Sequence, residues 1–170
     1  MALTKTLTLN KQATLILVKF IAIMGIASLA PLFPIQGLTG PIVNAMLFIA
    51  VIMLGSQSAI LVAVFPSTIA LATGLLPAIL APMIPFIIIG NIILVLTFDL
   101  FRKENFWLGV GVASFLKFLF LWSTSSVVIE LLIKKDLANK VAMMLSWSQL
   151  ITAVAGGVLA YIFLKKIKRI

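Results

Sequence analysis

Not one charged residue stands between Lys19 and Asp99. Prolines, glycines and short polar turns cut that stretch into apolar runs. The first is close to the roughly 20 residues needed to cross a bilayer, and the second is short enough to begin in its loop or to sit in a thinned region. Beyond Asp99, two more apolar runs follow, separated by a charged turn holding Lys134, Lys135, Asp136 and Lys140. With 63% hydrophobic residues, 10% charged residues and a mean hydropathy of +1.28, the chain is far more apolar than a soluble domain of 170 residues requires. The expectation is an all-α integral membrane protein. Residues 1–170 form a single transmembrane domain, a compact bundle of six transmembrane helices at about 12–30, 41–54, 59–73, 83–101, 106–133 and 141–164. The first run is too long for a cleaved signal peptide and lacks a clear small-x-small site.

Composition also removes whole classes of chemistry. There is no Cys and no His, so thiol catalysis, disulfides, histidine acid–base work and the common zinc sites are excluded. No phosphate-binding Gly-x-x-x-x-Gly-Lys-Ser/Thr loop, His-Glu-x-x-His or Gly-x-Ser-x-Gly motif occurs. The 4 carboxylates lie mostly at segment ends, so an acid–base pair is not expected; neither is an enzyme nor a cofactor. The net charge of +9 sits at the flanks of the spans, which points to a lipid bilayer and not to nucleic acid.

Those flanking cations set an orientation. Placing the N-terminus inside puts Lys5, Lys11, Arg102, Lys103, Lys165, Lys166, Lys168 and Arg169 on the inner face, against Lys134, Lys135 and Lys140 outside. The positive-inside rule then makes this a multi-pass protein of the cell membrane with both termini cytoplasmic. Two uncharged proline-bearing loops, Pro31–Pro41 and Gly74–Pro82, fall on the outer face and have the character of lids. Thr39 or Gly40 is placed to cap the second span and Pro41 to open it. Pro82 and Pro85 open the fourth span, because a proline loses nothing in a first helical turn. The turn Gly55–Ser58 makes spans two and three antiparallel neighbours, and Pro66 kinks span three, with Ser67 and Thr68 available to the freed carbonyls. Lys19 is expected to snorkel to the nearer interface.

The costly polar groups converge in this arrangement. Asn91 follows Pro85 by six residues, about 9 Å down the helix. Asn44 enters span two from the same side, Lys117 reaches about mid-membrane on span five, and Trp122, Trp147 and Gln149 lie in the outer half. Intramembrane ionisable groups mark function, so Lys117 predicts an anionic or carbonyl-bearing ligand in an outward pocket. The alternative is structural: Lys117 held by Asn91 and Gln149, the amides acting as interhelical hydrogen-bond glue, the tryptophans as interfacial anchors.

Several stretches together resemble one family. They are Gln36-Gly37-Leu38-Thr39-Gly40-Pro41-Ile42-Val43-Asn44-Ala45, Ala81-Pro82-Met83-Ile84-Pro85-Phe86 with Gly90-Asn91, Lys117-Phe118-Leu119, and Met144-Leu145-Ser146-Trp147-Ser148-Gln149. The chain is similar, over about residues 12–164, to the substrate-binding S components of bacterial energy-coupling factor (ECF) transporters. That resemblance implies a six-helix subunit capturing a vitamin-like micronutrient under its first and third loops. Gln36, Thr39, Asn44, Asn91, Lys117, Trp122, Trp147 and Gln149 would then be ligand contacts. It further implies partners: a transmembrane coupling subunit and two ATPases that drive inward release. Many S components dock the coupling subunit through Ala-x-x-x-Ala on the first helix; here Ala22, Gly25, Ala27 and Ala30 supply small residues without that spacing. A self-contained carrier or channel, which needs a polar path through both halves, and a non-transporting scaffold are the competing functions.

Overall fold

The computed structural model describes residues 2–32, 36–74, 78–132 and 145–170. Six α-helices account for most of them. They are α1 (Ala2–Leu29, running into a 3-10 turn Ala30–Leu32), α2 (Gln36–Leu54), α3 (Ser56–Ala72), α4 (Ile84–Phe101, entered through a 3-10 turn Ala78–Met83), α5 (Phe106–Leu132) and α6 (Trp147–Lys166). Five are long and apolar enough to cross a membrane, and α3, at 17 residues, is a shorter apolar helix. No strand occurs among the described residues. The protein is an all-α membrane bundle, the architecture in which each backbone N–H finds its acceptor within its own segment.

The breaks between helices have local causes. Gly55 separates α2 from α3 at φ +85°, a left-handed conformation that glycine adopts without a Cβ clash, and its N–H still donates to the Val51 carbonyl. At the start of α5, Asn105 Oδ1 accepts the N–H groups of Trp107 (2.8 Å) and Leu108 (3.2 Å), satisfying two donors that have no partner within the helix. Asn105→Ala is expected to cost about 1 kcal/mol, measurable as a shift in the unfolding midpoint of the purified protein. Arg102 closes the same turn with a hydrogen-bonded ion pair to Asp99 Oδ1 at 2.7 Å.

Three boundaries differ from expectation. Ser56, Gln57 and Ser58, expected in the turn, already belong to α3, and the other two concern the proline segments. α2 begins at Gln36, so Gly40 and Pro41 lie inside the helix and Thr39 is not its cap; the Thr39 hydroxyl donates to the Ala30 carbonyl at 3.4 Å instead. The proline is tolerated because, so near the helix start, its missing N–H leaves only the carbonyl of the exposed Gly37 unpaired. The second proline loop contains the 3-10 turn from Ala78, with Leu75, Leu76 and Pro77 outside the described residues. Residues 141–144, expected to open the last span, also lie outside them, and α6 proper runs from Trp147.

Helix α2 is the hub, packed against α1, α3, α4 and α6, while α5 bridges α4 and α6. Its approach to α6 is close. A Cβ built on Gly156 would stand 2.6 Å from Asn44 Cβ and 2.9 Å from the Ala45 nitrogen, and one on Gly40 would stand 2.8 Å from a Thr152 methyl. Small residues at a crossing let two backbones pack directly, the main source of helix association where lipid removes the hydrophobic drive. The half of the bundle nearer the termini is filled: Phe48 meets Phe98 edge-on at 4.7 Å and Phe98 meets Phe106 at 5.4 Å, among fully buried Leu47, Val51, Val62, Val95 and Leu164.

Candidate functional site

The other half is not filled. At the end away from the termini the helices line an open cavity of about 150 Å³. Pro31 closes it from the turn after α1, and α2 contributes Thr39, Gly40, Val43 and Asn44. Pro66, Ser67 and Ala70 come from α3, Ile87 and Asn91 from α4, Lys117 from α5 and Gln149 from α6.

Lys117 is the centre of its polar wall. It lies eleven residues from the start of α5, about 16 Å along the helix, too far from the nearer end to leave its ammonium in water. The side chain is 3% exposed, and Nζ donates to Asn44 Oδ1 at 2.7 Å and to Asn91 Oδ1 at 2.8 Å. Both asparagines are themselves buried. An ammonium only donates, so each carboxamide turns its oxygen toward Nζ and its nitrogen away. Asn91 Nδ2 in turn donates to the Ala63 carbonyl at 3.3 Å, tying the lysine through α4 to the backbone of α3. Three helices are thereby joined at one cation. Hydrogen bonds to a charged group contribute about 1.5–3 kcal/mol each, enough to offset an insertion cost of about 3 kcal/mol for a central lysine. The charge itself has no counter-ion among the described residues lining the cavity.

The residues singled out from the sequence separate cleanly. Asn44, Asn91 and Lys117 meet at hydrogen-bond distance, and Thr39 and Gln149 stand on the cavity wall. The side chain of Gln36 lies outside the described residues. Trp122 and Trp147 do not reach the cavity: they are 52% and 66% exposed, and Trp147 stacks on Phe118 at 5.1 Å. Helical phase is the reason. Five residues from Lys117 to Trp122 turn the helix to about 140° from the lysine, and two from Trp147 to Gln149 turn it about 200°. The four small residues of α1 also divide. Ala27 and Ala30 are buried inside the bundle, Ala22 is exposed, and a Cβ on Gly25 would meet nothing within 4 Å. They do not present one face to a partner.

Ser67 is the site residue that the sequence reading assigned elsewhere. The sequence places it among the groups that serve the carbonyls freed by Pro66, yet Thr68 donates to the Phe65 carbonyl at 2.8 Å while the Ser67 hydroxyl is buried with no hydrogen-bond partner among the described residues. The signal was present in the spacing: Ala63, Pro66, Ser67 and Ala70 follow the i, i+3, i+4, i+7 rhythm of one helix face. Ser114, one turn before Lys117, is the other buried hydroxyl without a partner among the described residues. No protein-family model, no curated protein and no solved structure matched this chain when it was compared with them.

Proposed function

We propose that this protein is a membrane-embedded capture subunit, binding a small molecule in the cavity beside Lys117 and passing it inward with the help of a partner coupling subunit and ATPases, in the manner of an ECF-type importer. One observation carries the proposal. A fully buried cation, held from behind by Asn44 and Asn91, borders an open pocket at one end of the bundle, while the described residues at the other end include many buried aromatic and aliphatic side chains. Such a half-open interior suits a protein that binds on one side and must reorient to release. It does not suit a channel, which needs a polar path throughout. With the termini cytoplasmic, as the basic flanks favour, the cavity opens to the outside.

A second reading has an observation in its favour. Two of the three donors of Lys117 are already satisfied within the chain, as they would be in a scaffold whose lysine only fastens α2, α4 and α5 together. Native mass spectrometry of the gently purified protein separates the two. A capture subunit is expected to carry a stoichiometric small molecule that Lys117→Met loses while keeping its helical circular dichroism. An empty, equally stable wild type with no co-purifying partner subunit sinks the capture reading in favour of the scaffold.

A further inference from the structure

We infer that the ligand of this cavity is a compact organic monocarboxylate, its carboxylate received by Lys117, Asn44 and Ser67 and its body lying against an apolar wall. This rests on the capture reading and adds the substrate class. Beside Thr39, Asn91 and Gln149, three polar side chains of the cavity carry donors. Lys117 has three N–H donors, of which Asn44 and Asn91 take two. Asn44 gives its oxygen to Lys117 and carries two amide N–H donors of its own at the cavity wall. Ser67, 7% exposed, lines the same space with a hydroxyl that has no partner among the described residues. Every one of these groups can donate, and they come from α5, α2 and α3, three different sides of the cavity.

A neutral carbonyl would accept up to two of these bonds but leave the ammonium without a counter-charge. A carboxylate supplies that charge and has two oxygens, enough acceptor sites for all three donors, in bonds strengthened by ionisation at both ends. A dianion such as phosphate brings more charge than one lysine neutralises and so carries an uncompensated desolvation penalty. A space of about 150 Å³ has room for a body the size of a benzene ring, so a compact ligand fits it. Pro31, Val43, Ala70 and Ile87 offer that body a surface with no hydrogen-bonding demand.

Benzoate is the probe that fits these limits, benzamide its neutral isostere, and nitrate the bare inorganic anion. Titration of each into the full chain in lipid nanodiscs at low salt, read by calorimetry and by the shift in unfolding temperature, tests the class. Benzoate is expected to bind at least tenfold more tightly than benzamide or nitrate. Asn44→Asp, an isosteric change that sets a carboxylate against Lys117, is expected to weaken benzoate at least tenfold in a protein that still unfolds cooperatively; Ser67→Ala is expected to weaken it severalfold. Benzamide binding as well as benzoate overturns the carboxylate assignment and leaves capture standing. Nitrate displacing benzoate at equal concentration makes this an inorganic-anion site, and full benzoate affinity in Asn44→Asp removes Lys117 as the group that reads the charge. A co-purified molecule without a carboxylate overturns the class alone. No binding by any probe overturns it too, and together with an empty wild type in native mass spectrometry it overturns capture as well.

Discussion

Asn91→Leu is expected to be among the most destabilising single substitutions in this protein, at about 3 kcal/mol. The side chain accepts from Lys117 Nζ at 2.8 Å and donates to the Ala63 carbonyl at 3.3 Å. Leucine keeps roughly the same bulk and removes both bonds, leaving a buried ammonium with Asn44 as its one partner. Removing one partner of a buried charge costs about 3–5 kcal/mol, because the penalty is that of the charge left behind and not the strength of the bond. The same logic predicts a rescue. In Asn91→Leu/Lys117→Met the charge is gone, and the double variant is expected to recover about 2 kcal/mol relative to the sum of the single changes. Reversible unfolding in mixed micelles, carried through the full double-mutant cycle, measures that coupling. Additive effects would mean that Lys117 does not depend on Asn91 in the folded protein.

The second large effect is expected at Gly156, where a substitution acts on the site from outside it. The added Cβ would lie 2.6 Å from Asn44 Cβ and 2.9 Å from both the Ala45 nitrogen and the Pro41 carbonyl oxygen. Two of those three atoms are backbone and cannot swing aside, so α6 must move away from α2. Overpacking of this kind costs about 1–3 kcal/mol for Gly156→Ala, and a larger side chain is expected to cost more. Since Asn44 is one of the contacts, the displacement also shifts an acceptor of Lys117, and ligand retention should fall along with stability. Gly111→Ala is the control: it lies on an exposed face of α5 with nothing within 4 Å of the new methyl. Its unfolding midpoint should stay within about 0.5 kcal/mol of the wild type or rise. Equal effects at the two glycines would rule out a tight α2–α6 seam.

Both predictions turn on contacts between helices distant in the chain, and that is where legibility in the sequence ended. The bundle itself could be read directly, because lipid permits so few alternatives. Uncharged runs of span length must be helices, charges must collect at their ends, and a lysine or asparagine inside such a run must be answered by something. Asn44, Asn91 and Lys117 were therefore identifiable as costly one at a time, each from its own segment. Helix starts were less legible. Pro41 marked a plausible beginning for α2, but a proline is excluded only where its lost hydrogen bond would be buried, and near an exposed first turn it was not.

What the sequence alone determined is the class of the protein, the rough number and length of its apolar helices, and the residues whose polarity had to be compensated. These follow from local physics: hydropathy, rise per residue and backbone hydrogen bonding. A contact between Lys117 and Asn91 was among the pairings the sequence left open; only the tertiary structure decided for it and added Asn44. Lys117 pairs with Asn44, 73 residues away, and not with Gln149, because α2 sits at the centre of the bundle with its asparagine at the depth of the lysine. Ser67 faces the cavity and the two tryptophans face away from it because a helix has a phase as well as a depth, and phase is set by packing against neighbours that no single segment encodes.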